Sequence, residues 1–155
     1  MLGGLLGAAG VGFFAGLVAT AVMTVFQYPF WRRWGLTGVL EWHENVCIIA
    51  RLSRAGELES LLKRSFLLHF LNGGLASLVY SIILWSSTLL NSWNTAVLGI
   101  LFGLVLWILT LYPIHRPVTG VSLHRHPLGY KPTALSIALH MVYGVIATYI
   151  IDAFI

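Results

Sequence analysis

Residues 65–83 read SFLLHFLNGGLASLVYSII, and residues 136–151 read SIALHMVYGVIATYII. With the two histidines aligned, Ser65, His69, Gly73, Ser77 and Ser81 fall against Ser136, His140, Gly144, Thr148 and Asp152. In each stretch every fourth residue is small or polar, within a run that is otherwise apolar. On a helix this spacing draws one slowly drifting ridge, because four residues slightly overshoot a 3.6-residue turn. A helix that is apolar on all sides except for one small, polar seam is suited to lipid, with the seam turned to other helices.

Composition points the same way. Of 155 residues, 58% are hydrophobic and 9% charged, and the mean hydropathy is +0.86. A soluble domain carries roughly 25% charged residues, so this chain has too few to coat a water-facing surface. The net charge of +4 would suggest nucleic acid in a soluble protein. Here the basic residues flank apolar runs, so the partner they indicate is the lipid bilayer and not nucleic acid. The single cysteine, Cys47, excludes an internal disulfide and a multi-cysteine cluster site. No basic region precedes the N-terminal apolar run, which argues against a cleaved signal peptide.

Outward from the two seams, the chain reads as an all-α integral membrane protein, with four spans in two tandem hairpins. Span one is expected at 11–30, since crossing the hydrocarbon takes about 20 residues. Its row Gly4, Ala8, Gly12, Gly16, Thr20 and Thr24 has the small-xxx-small spacing that lets backbones approach closely, and Tyr28-Pro29 followed by Trp31-Arg32-Arg33-Trp34 marks a headgroup boundary. Span two is expected at 65–85. Span three is expected at 96–113, with Gly99 and Gly103 as a GxxxG pair and Tyr112-Pro113 echoing Tyr28-Pro29. Span four is expected at 133–151, with Pro132 in its first turn. The loops are then 31–64, 86–95 and 114–132. Apolar residues at Leu40, Val46, Cys47, Ile49, Ala50 and Leu52 predict one short amphipathic helix between Thr37 and Arg54. It would lie along the interface or cap the bundle. The echoes between the hairpins make them parallel repeats, with spans two and four related by a pseudo-two-fold axis near the membrane normal.

All nine basic side chains fall in the first and third loops. The positive-inside rule places those loops in the cytoplasm and both termini outside, in a plasma (inner) membrane.

Gly16-Leu17-Val18-Ala19-Thr20 with Met23-Thr24, Leu68-His69 with Gly73, and Leu139-His140-Met141-Val142-Tyr143-Gly144 resemble a group of small, uncharacterised inner-membrane proteins of bacteria and archaea, the YagU-like type. The segment Glu41-Trp42-His43-Glu44 has no counterpart in that pattern. The resemblance implies a four-helix membrane fold and brings no chemistry with it.

Ionisable residues inside spans are functional candidates. His69 and His140 sit roughly 8–12 Å inside their helix starts, at matching depth. As such they could be axial ligands of a haem b, or help hold a transition metal. The plainer alternative is that each imidazole fastens neighbouring helices, and the four-residue seams favour it. Glu41, His43 and Glu44 with His115, His124 and His126 could form a second, interfacial metal site, although their spacing matches no zinc motif. Gly12, Gly16, Gly73, Gly99, Gly103 and Gly144 are the expected helix-packing positions. There is no nucleophile elbow, phosphate loop or pair of intramembrane carboxylates. The functional expectation is therefore an accessory subunit of a larger membrane assembly, or a homo-oligomer, that acts by packing and has no catalysis of its own. Haem-based electron transfer and a small-solute or metal transporter or channel are the alternatives.

Overall fold

The computed structural model describes residues 4–53, 58–87 and 89–155. Arg54 and Glu57, part of the expected polar loop, lie outside them. The described chain is helical: α1 (Leu5–Trp34), α2 (Leu40–Leu52), α3 (Leu58–Trp85), α4 (Leu89–Ser92), α5 (Thr95–Thr119) and α6 (Lys131–Phe154). α1, α3, α5 and α6 are long and apolar enough to cross a membrane. Their outward faces carry large apolar side chains such as Leu6, Val25, Leu67 and Leu109. No water-soluble surface tolerates so much exposed hydrocarbon, so the chain is a multi-pass membrane protein.

The helices outrun the expected spans, most plainly at α5. Pro113 was expected to end span three, yet α5 passes through Pro113 and Pro117 to Thr119. A proline inside a helix removes one backbone hydrogen bond. Three features offset this loss. Leu111 and His115 are buried in this segment. The Arg51 guanidinium donates to the carbonyls of Pro117 and Val118 at 3.1 and 2.7 Å. Gly120 closes the helix in the left-handed conformation, φ 76°, which glycine adopts without strain. His115 therefore lies on a helix and not in the third loop. α1 likewise runs through Pro29 to Trp34. At the start of α5, Asn94 Oδ1 accepts from the amides of Ala96 and Val97, satisfying two of the free N–H groups of the first turn.

Glycine governs two helix pairs, α1 with α3 and α5 with α6. A Cβ on Gly16 would collide with the Gly73 carbonyl, and one on Gly12 with the backbone and side chains at 77–81. A Cβ on Gly73 would strike Thr20. In the second pair, a Cβ on Gly99 or Gly103 would meet the α6 backbone at 140–145, and one on Gly144 would meet Gly99 and Gly103. α1 also packs on α6, through Ala19, Met23, Leu139, Tyr143 and Ala147.

A two-fold axis exchanging the hairpins would repeat that α1–α6 contact between α3 and α5. Among the described residues no comparable contact exists. Near the chain termini the two helices are bridged by Tyr80 and Phe102, whose rings stack with centroids 3.8 Å apart. Toward the other end they are separated by α2, which touches both. The amphipathic helix is thus an asymmetric wedge at one end of the bundle. It is no surface strip, because Leu40, Glu41, Trp42, Glu44, Asn45 and Val46 are all buried.

The collisions at the glycines set an expectation for stability. Gly16→Ala and Gly103→Ala should each cost about 1–3 kcal/mol by overpacking, and Gly73→Leu or Gly144→Leu should cost more. A Cβ on Gly10 meets open space, so Gly10→Ala should be neutral or should stabilise by up to about 1 kcal/mol. Melting temperatures of the purified variants in one detergent check the ranking.

Candidate functional site

The candidate site lies where α2 enters the bundle, and Glu41 is its centre. Glu41 occupies the first turn of α2, where the helix dipole favours a carboxylate. It is 7% exposed, so its oxygens must be hydrogen-bonded by protein. Gln27 of α1 donates from Nε2 to Glu41 Oε2 at 3.0 Å. Ser136 of α6 donates from Oγ to Glu41 Oε1, and Ser136 Oγ accepts from Trp107 Nε1 of α5 at 3.0 Å. His140 Nδ1–H donates to the Ser136 carbonyl at 2.9 Å and lies 3.4 Å from Glu41 Oε1. Gln27 Oε1 accepts from Trp42 Nε1 at 2.9 Å. The Trp42 ring then stacks on Trp31 of α1 and packs against Phe66 and His69 of α3. One short helix is thereby tied to all four spans.

Beside this network is a cavity of about 370 Å³ between α3 and α5. Glu41, Glu44, Asn45, His69 and His140 reach it, while Met23, Leu75, Ala76 and Leu106 supply apolar wall. Among its lining residues, Leu75 of α3 and Ile114 of α5 are exposed on the bundle's outer surface. The cavity thus reaches the surface between those helices and is bounded at one end by α2, through Glu41, Glu44, Asn45 and Ile48. His69 Nε2 is buried without a protein partner.

On the opposite side of Glu44, its Oε2 lies 3.4 Å from His115 Nδ1. The His43 and His115 rings are 5.8 Å apart, edge to face. Burial pushes the Glu44 carboxyl above its usual range, opposed by His115. Burial also lowers His43, helped by the neighbouring His115 and His126.

The six residues expected to form an interfacial metal site are distributed over separate environments. Glu41 belongs to the Gln27–Ser136–His140 network. His43, Glu44 and His115 adjoin one another. His126 is consumed by the loop backbone: Nδ1 accepts from the Leu128 amide at 3.1 Å, which puts the proton on Nε2, and Nε2–H donates to the Thr37 carbonyl at 2.9 Å. His124 is exposed, against the edge of Tyr112. Among the described residues no group of three or more histidine, cysteine or acidic side chains is placed to hold a metal ion. His69 and His140, the haem ligands of the alternative reading, both line the cavity. Glu41 and Glu44, expected on an amphipathic helix that lies along the interface or caps the bundle, are buried.

Glu41, His140 and Ser136 have the residue types of a hydrolase triad but not its connectivity. A nucleophilic serine donates to the imidazole, which is oriented by the acid. Here the serine donates directly to the carboxylate, and the histidine donates to the serine's own carbonyl, so the hydroxyl is not activated. Gln27, Trp42 and Trp107 were not anticipated. Gln27 carried a readable signal, since it is the only side-chain amide in a 30-residue helix that is mostly apolar before Arg32.

No protein-family model, curated protein or solved structure matches the chain significantly.

Removing Glu41 would leave the Gln27 amide and the Ser136 hydroxyl without their acceptor. Glu41→Ala should cost about 2–6 kcal/mol, at 1–3 kcal/mol for each of the two orphaned groups. His69 Nε2 has no protein partner to strand, so His69→Ala should cost well under half as much. Thermal unfolding in a single detergent compares them, and equal losses would contradict a network centred on Glu41.

Proposed function

We propose that this chain is a non-enzymatic membrane subunit whose working part is the cavity between α3 and α5, and that the cavity takes a small amphipathic molecule from the bilayer. The observation that carries this reading is the cavity's position and lining. Carboxylates, amides and imidazoles converge at its α2 end, its remaining walls are mostly apolar, and its mouth lies among side chains of the spans. A volume of about 370 Å³ falls at the lower end of the roughly 300–1,000 Å³ of small-molecule sites, which combine apolar walls with a few placed polar groups. The molecule's polar head would lie toward Asn45 and His69, with its apolar part toward Leu106 and Leu75. Since nothing at the site activates a nucleophile, the bound molecule needs a recipient. The reading therefore includes service to a larger membrane assembly or to another copy of the chain.

The charge distribution supports an orientation as well. The described basic residues lie in or next to the two loops at the α2 end, including Arg32 and Arg33 in the last turn of α1 and Arg116 in that of α5. We place this end in the cytoplasm of a plasma membrane and both termini outside. Asn91→Cys in a Cys47→Ser background should then react with an impermeant thiol reagent applied to intact cells. Reaction only after lysis would reverse the orientation.

A second reading is favoured by one observation. His140 Nδ1–H is held by a carbonyl, the arrangement that orients a ligating histidine, and His69 Nε2 is unpartnered on the same cavity. A haem b between them would make the protein an electron carrier. Purification in mild detergent followed by an absorption spectrum and native mass spectrometry separates the readings. The binding reading expects a colourless protein that retains a small amphiphile stoichiometrically, lost in Ala76→Trp, which fills the cavity. A Soret band bleached by His69→Ala or His140→Ala would replace it with the haem reading. A colourless protein that retains nothing would contradict both.

A further inference from the structure

We propose that His43, His115 and Glu44 form a proton path linking the loop end of the bundle to the cavity. The argument begins with His115. It is 0% exposed, and both of its ring nitrogens are without a protein hydrogen-bond partner. A buried imidazole that serves only packing is normally hydrogen-bonded, as His140 is to the carbonyl one turn back. His115 is not held that way. Its Nδ1 instead faces Glu44 Oε2 at 3.4 Å, and that oxygen is likewise buried with no other partner. On the other side the His43 ring stands 5.8 Å away, with its own Nδ1 buried and unpartnered. Four unpartnered polar atoms thus lie together on three adjoining side chains.

The order of the groups gives the path a direction. His43 is partly exposed and exchanges protons with water at the loop end. His115 in its Nδ1–H form can take a proton on Nε2 and release the one on Nδ1 toward Glu44; each passage moves a single proton and leaves the Nε2–H tautomer, which a ring flip returns to the starting form. Glu44 also lines the cavity, together with Glu41 and His140, which lie 3.4 Å from each other. A Glu44 carboxylate that has taken the proton becomes a neutral acid, the form that burial favours, and can pass it to a group in the cavity. Chains of glutamate and histidine within membrane proteins are the usual construction of such relays. Arg51 does not block this one, because its guanidinium is occupied by the carbonyls of Pro117 and Val118.

The test needs no ligand, so an empty cavity does not affect it. The full chain, labelled with ¹⁵N-histidine, is reconstituted in lipid nanodiscs, and the exchange of the His140 ring N–H with D₂O is followed by NMR. The wild-type protein should exchange readily. His115→Phe should slow the exchange at least tenfold, Glu44→Gln and His43→Phe should slow it too, and His124→Phe should not. If His115→Phe fails to fold, the other two variants decide. Wild-type exchange as slow as in the variants, or variants that all exchange at the wild-type rate, would overturn the path.

Discussion

A carboxylate withdrawn from water has to be satisfied by the protein around it, and at Glu41 that requirement organises one end of the molecule. Its two oxygens take hydrogen bonds from Gln27 on α1 and Ser136 on α6. Ser136 in turn receives Trp107 from α5. A residue that needs partners on several helices at once can be buried only where those helices converge, so α2 is drawn into the bundle and cannot lie along the membrane surface. Once α2 is in place, α3 and α5 are kept apart, and the space beyond its polar edge is the cavity. Breaking one partner of such a network leaves the others stranded in a low-dielectric interior, which is why its members rise or fall together.

Two packing devices therefore coexist. The pairs α1–α3 and α5–α6 are joined by glycine seams in which backbone meets backbone, an arrangement that needs no polar group and leaves no space. The α3–α5 side is held open by a polar wedge and an aromatic stack. The two halves repeat each other in how each hairpin is built but not in how the hairpins meet. The departure from symmetry coincides with Glu41-Trp42-His43-Glu44, a segment that has no echo in the second half of the chain.

The spans were readable because about 20 apolar residues in a row have few other uses, and the seams because a four-residue period of small residues has a geometric meaning whatever the neighbours. The ends of α1 and α5 were not readable. Proline is a fair sign of a helix end, and what carries these helices past Pro29 and Pro113 is tertiary: burial of Leu111 and His115, and Arg51 reaching the last carbonyls of α5. The matched depth of His69 and His140 correctly marked a shared location, and both reach the cavity. The interfacial metal set did not assemble, because one of its members, His126, is spent on the backbone of its own loop. The place of α2 stayed open between the interface and a cap on the bundle, since an amphipathic pattern with glutamates fits either. Only the positions of Gln27 and Ser136, one turn or more inside other helices, turn that polar edge inward.

In this structure α2 is a buried, load-sharing part of the bundle, locked by Glu41. Hydrogen–deuterium exchange of the α2 backbone amides in lipid nanodiscs tests it most directly. The account predicts protection across residues 42–50 comparable to that of α3 and α6, lost selectively in Glu41→Ala while the four spans stay protected. Rapid exchange of α2 in the wild-type protein, as for a helix resting on the membrane surface, would contradict it.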